Sequence, residues 1–113
     1  MNYELLRKTI NHFGEQCQKN KAIEELGELV SALSKEPYGG SKESVISEIA
    51  DVKIVLAQLE LMYLSSRVKE AVDFKLQRLE SRLIGSEIMN SMAKDQFDLE
   101  HYIKQKESGP DNG

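Results

Sequence analysis

Cysteine is nearly missing from this chain: Cys17 stands alone among 113 residues. One thiol closes no internal disulfide, and no Cys or His cluster has zinc-ligand spacing, so disulfide scaffolds and structural zinc domains are excluded. A reducing compartment, the cytoplasm, is the expected home. Tryptophan is absent and proline occurs twice, which leaves few helix breakers and fits a helical protein with a modest core. No apolar run approaches the roughly 20 residues of a membrane span, and Glu4, Arg7 and Lys8 stand where a signal peptide would carry its apolar core. Membrane partners are therefore not expected. Runs of positive charge are lacking too. The formal net charge is −4 with no polybasic segment, so the attraction that dominates binding to a nucleic-acid polymer is missing.

What remains is a chain of one-domain length, 40% hydrophobic and 30% charged, with apolar residues at helical spacing. The pattern predicts an all-α protein, a bundle of four main helices. Asn2 to Phe13 and Glu15 to Ser34 read as two helices, or as one longer helix that tolerates Gly14. Glu36 to Ser41, with Pro37, Gly39 and Gly40, is a connector, and Ser41 suits the cap of the helix after it. Lys42 to Tyr63 is the third helix, and Val68 to Ile84 the fourth, stopped by Gly85. On this reading residues 1–85 form the helical domain. Residues 86–106, with irregularly spaced Ile88, Met92, Phe97 and Tyr102, form a marginal helix or a partner-dependent arm, and 107–113 a disordered tail. Small helical chains often complete their cores by association, so a homodimer or homotetramer is expected.

The residues that carry chemistry are acids. On the second helix Glu25 and Glu28 project from one face, beside Glu24, while Ile23, Leu26, Val30 and Leu33 form the opposing apolar stripe. On the third, Val45, Ile49, Val52, Leu56, Leu59 and Tyr63 make one stripe and Ile46, Ala50, Ile54, Ala57 and Leu61 another, so the helix is apolar almost all round and should be buried. Glu48 and Asp51 lie in the narrow sector between the stripes. Desolvating an unpaired carboxylate costs several kcal/mol, so such a pair needs cations, raised pKa values or a bound metal. Antiparallel packing of the two helices would set the pair Glu25 and Glu28 against the pair Glu48 and Asp51. Oxygen donors alone suit a hard cation, Mg²⁺ or Mn²⁺, and disfavour zinc. A di-iron bundle would need Glu-x-x-His helices, whereas His12 and His101 are out of frame.

At these residues the sequence resembles the MazG-like nucleoside triphosphate pyrophosphohydrolases, an all-α superfamily marked by E-x-x-E, a variable interval, then E-x-x-D. Here the mark reads EELGE at Glu24 to Glu28 and EIADV at Glu48 to Val52. HFGEQCQ (His12 to Gln18) is similar to the segment before the first motif in small phage-type and bacterial members, and KLQRLESRL (Lys75 to Leu83) to their last helix. The resemblance implies Mg²⁺-dependent hydrolysis of an NTP or dNTP between its α and β phosphates. It also implies that Glu25, Glu28, Glu48 and Asp51 are metal ligands, with Glu24 a further ligand or, like Glu25, part of the machinery that orients and deprotonates water.

A phosphate chain wants positive partners besides metals. Lys75, Arg78 and Arg82 recur on one face of the fourth helix, and Lys21 lies one turn before Glu25. The competing readings are surface ion pairs with Asp73 or Glu80, or with a neighbouring helix, for the first group and an i to i+4 pair with Glu25 for Lys21. Lys53 points away from Asp51. Gln18, His12 and Phe13 suit a nucleotide pocket, though a helix joint also accounts for them, and for His12 the joint is preferred; Cys17 reads as a core residue. Two further classes stay open: a non-catalytic helical module that binds nucleotide or a protein partner, and a plain helical scaffold.

Overall fold

The computed structural model describes residues 1–108, without the side chains of 97–99 and 106–108. Its elements are helices α1 (Tyr3–Phe13), α2 (Glu15–Lys35), α3 (Lys42–Met62) and α4 (Ser65–Ser108), with one 3-10 turn at Glu36–Tyr38. The protein is all-α, with no strand among the described residues. None of these helices is long and apolar enough to cross a membrane.

Local chemistry explains each boundary. The Asn2 side chain accepts from the Leu5 N–H at 3.1 Å and starts α1. Gly14, at φ +93°, separates α1 from α2; an L side chain rarely adopts that backbone, so the glycine decides in favour of two helices. Its N–H still closes α1 on the Ile10 carbonyl at 2.8 Å, and its own carbonyl accepts from Gln18 N–H at 3.1 Å. After the turn Gly39 is left-handed at φ +98°. Ser41 then caps α3, its hydroxyl accepting from the Ser44 N–H at 3.0 Å.

The fourth helix departs from expectation. It begins at Ser65, ahead of Val68, and passes through Gly85 to Ser108 without a break. A glycine inside a helix costs only about 1 kcal/mol against alanine, and the flanking residues are good helix formers, so Gly85 weakens the helix without ending it. Residues 86–106, read as marginal, are continuous with it. Of the expected tail, 107 and 108 are helical and 109–113 lie outside the described residues.

The chain divides into two compact units, Met1–Glu70 and the residues from Ala71 onward. In the first, α2 and α3 form the main helix pair and α1 packs on both. Its buried apolar residues are Leu6, Ile10, Ala22, Val52, Val55 and Ala57, and no side chain falls below 2% exposure. The expected core stripe of α2 lies outside this core: Ile23 is 69% exposed and Val30 64%, with Leu26 and Leu33 exposed as well. Gln18, Ala22 and Glu25 are the buried residues of α2 instead. Likewise α3, expected to be buried all round, leaves Ile46, Ile49, Ile54 and Leu56 exposed. One face of each helix is taken by the polar seam described next, so the apolar stripes are turned away from the α2 and α3 contact. The second unit is a run of α4 whose Val72, Leu76, Leu79 and Leu83 are exposed.

Candidate metal centre

Because α2 and α3 are joined by a short connector, they run antiparallel, and three polar pairs meet across them in one register. Gln18 faces Gln58, Glu25 faces Asp51, and Glu28 faces Glu48. Each falls on the inward sector because residues three, four and seven apart share a helix face. The four acids converge: one oxygen from each of Glu25, Glu28, Glu48 and Asp51 lies within 4.8 Å of the others. The sequence expectation that these two pairs would meet is fulfilled.

Burial makes the convergence costly. The Glu25 side chain is 7% exposed, Glu48 and Asp51 are half-buried, and Glu28 is exposed. Two carboxylate oxygens, Glu25 Oε2 and Glu48 Oε2, are shut off from solvent and have no hydrogen-bond partner. Left so, each bears an uncompensated desolvation penalty. The charge of Glu25, then burial, then the charge of Glu48 push the Glu28 carboxyl above its ordinary range. Glu25 is held below that range chiefly by the hydrogen bond from Lys21, against the opposing effect of burial. Lys21 Nζ sits 2.9 Å from Glu25 Oε1 and 3.7 Å from Glu24 Oε2. The i to i+4 pair considered for Lys21 is thus present.

The four acids could hold a metal ion: the donors are all carboxylate oxygens, they gather within 4.8 Å of one another, and two of the residues carry a buried oxygen without a partner. Glu24 is not in the group of four; it is exposed and turned to Lys21. Lys75, Arg78 and Arg82 are exposed on the part of α4 that belongs to the second unit, and among the described residues no ion pair joins them to Asp73 or Glu80. Gln18, the candidate pocket residue, is buried and donates through Nε2 to Gln58 Oε1 at 2.9 Å. Gln58 had escaped sequence reasoning. It lies seven residues beyond Asp51, two turns along the same face, and a search for any polar residue in that sector would have found it.

Two cavities adjoin the seam. One, about 170 Å³, is lined by Gln18, Lys21, Glu25, Asp51 and Gln58 among others. A larger and mostly apolar one, about 490 Å³, is lined by Thr9, Phe13, Cys17 and Asn20 and shares Gln18 and Lys21 with the first. His12 packs edge-on against Phe13, ring centres 4.7 Å apart, and Cys17 is exposed rather than in the core. An apolar hollow by Leu33, Val45 and Ile46 contains none of the four acids.

The chain matches no known protein-family profile, no curated protein and no solved structure.

Proposed function

We propose that the chain is a Mg²⁺-dependent nucleoside triphosphate pyrophosphohydrolase, in keeping with the resemblance of its acid motifs to the MazG-like enzymes. The observation that carries this reading is the focus of four carboxylates with two buried, partnerless oxygens. A fold does not spend such an arrangement on stability, since replacing unpaired buried charges by apolar groups is commonly neutral or stabilising. Glu25, Glu28, Glu48 and Asp51 would hold Mg²⁺, with Mn²⁺ as a substitute. A divalent cation bound there supplies charge neutralisation on phosphate oxygens and acidifies the attacking water.

The residues do the rest by placement. Water adds at the α-phosphorus, and the bond from that phosphorus to the α,β-bridging oxygen breaks. A proton of the attacking water passes to a carboxylate, Glu24 or Glu25, and pyrophosphate departs with the nucleoside monophosphate as the other product. The larger cavity beside Lys21 suits the nucleoside, with Phe13 offering a ring for stacking and Gln18 and Asn20 offering amides. An unpaired, exposed Cys17 suits a reducing cytoplasm. The bare stripe of Ile23, Leu26, Val30 and Leu33 suits a second copy of the chain, in a homodimer or homotetramer.

The test is a panel of NTPs and dNTPs incubated with the protein and Mg²⁺. Pyrophosphate release is expected for at least one of them, and chelation of the metal stops it. Release of orthophosphate alone, or no turnover of any of them, rejects the reading; in the second case a non-catalytic helical module that binds nucleotide or a protein takes its place.

A further inference from the structure

A cation already stands at the acid group, and it belongs to the chain. Lys21 Nζ engages Glu25 Oε1 at 2.9 Å while Glu25 Oε2 is buried without a partner. Among the described residues, no other lysine or arginine forms an ion pair with any of the four acids. Resting on the reading above that these acids hold a divalent ion, we propose that Lys21 is an exchangeable counter-cation. It neutralises Glu25 while the metal is absent, yields that carboxylate when the ion arrives, and then serves as an anchor for a phosphate oxygen. The anion site is thereby made only in the metal-loaded protein.

Three features carry this. First, Glu25 is the most enclosed of the four acids, so leaving it uncompensated would be the costliest, and a resident cation allows the group to form before any metal enters. Second, a divalent ion held by Glu25 would put its charge beside the ammonium, and their repulsion would favour release of the lysine. Third, Lys21 has somewhere to go. Its side chain is 49% exposed, its ammonium is a compact charge on a flexible stem, and it lines both the cavity by the acids and the larger one beside Phe13 and Asn20. From that border a small swing carries Nζ from Glu25 toward a phosphate chain that spans the two. Glu24, 3.7 Å from Nζ, keeps the ammonium at the rim during the exchange. A lysine suits such a hand-over, whereas an arginine would grip Glu25 with a fork of donors and resist release.

The proposal is tested on the full chain with two probes. Mn²⁺ binding is measured by electron paramagnetic resonance, and binding of inorganic phosphate to the Mn²⁺-loaded protein by phosphorus NMR relaxation. Lys21→Met and Lys21→Gln are expected to bind Mn²⁺ about fivefold tighter than wild type, the size of effect a partly exposed charge pair carries. They should bind inorganic phosphate about tenfold more weakly, a loss typical of one charge-assisted hydrogen bond. Lys21→Arg should bind Mn²⁺ more weakly than wild type. The Gln variant guards against misfolding of the Met one, and circular dichroism confirms the helices in each. Unchanged or weakened Mn²⁺ affinity in both neutral variants, or undiminished phosphate binding, overturns the proposal and leaves the metal reading standing. A wild-type protein that binds no Mn²⁺ overturns both.

Discussion

Glu28 lies opposite Glu48 and beside Glu25, and the pH response of the metal-free protein follows from that crowding. Its carboxyl is raised above the ordinary value of 4.5, so the folded state holds the proton more tightly than the unfolded chain does. Its contribution to stability is fully present below that ordinary value and is lost as pH rises through the raised one. Glu25 behaves oppositely: lowered by Lys21, its contribution is present above its ordinary value and is lost as pH falls through the depressed one. Glu28→Gln is therefore expected to raise the melting temperature of the metal-free protein at neutral pH, with the gain vanishing in acid below 4.5. Calorimetry at stepped pH checks it, and a variant no more stable than wild type at neutral pH contradicts it. At this scale the acids were legible in the sequence because spacing alone puts Glu25 with Glu28 and Glu48 with Asp51. The Lys21 contact was legible as one of two options. The Gln18 to Gln58 bond was not, since it depends on the register of two helices that brings together residues 40 apart in sequence.

Helix existence was the most readable property of the elements, and helix ends were readable where a cap or a left-handed glycine imposes them. Ser41 starts α3 and Gly14 divides α1 from α2 as their chemistry requires. Gly85 misled, because a glycine's meaning depends on whether the chain turns there, and the helical residues on both sides kept it helical. Inside α4, an added Cβ at Gly85 meets nothing within 4 Å. Gly85→Ala should then stabilise the helix by about 1 kcal/mol, visible as a higher melting temperature by circular dichroism. A lower melting temperature would mean that the position is needed as glycine for a contact beyond this helix. Which face of α2 points inward was also hidden. Apolar periodicity predicted burial of Ile23, Leu26, Val30 and Leu33, yet the acid seam competes for the same partner helix and occupies it.

For the whole molecule that competition leaves a debt of exposed apolar surface. Among the described residues six apolar side chains are buried and none is fully enclosed, a thin core, and the exposed stripe of α2 is where the proposed second copy would pack. Sedimentation of the wild type should give a multiple of 12.8 kDa, and Ile23→Glu with Val30→Glu should reduce it to the monomer, because two charges inserted at an apolar interface are costly to desolvate. A monomeric wild type would leave that stripe unexplained.

All the chemistry proposed here depends on a divalent ion among Glu25, Glu28, Glu48 and Asp51, and anomalous diffraction from crystals grown with Mn²⁺ locates such an ion directly. The expected result is an anomalous peak bounded by these four carboxylates, lost in Glu48→Gln with Asp51→Asn. A wild-type map with no peak there, or with manganese held only by other residues, would contradict the account.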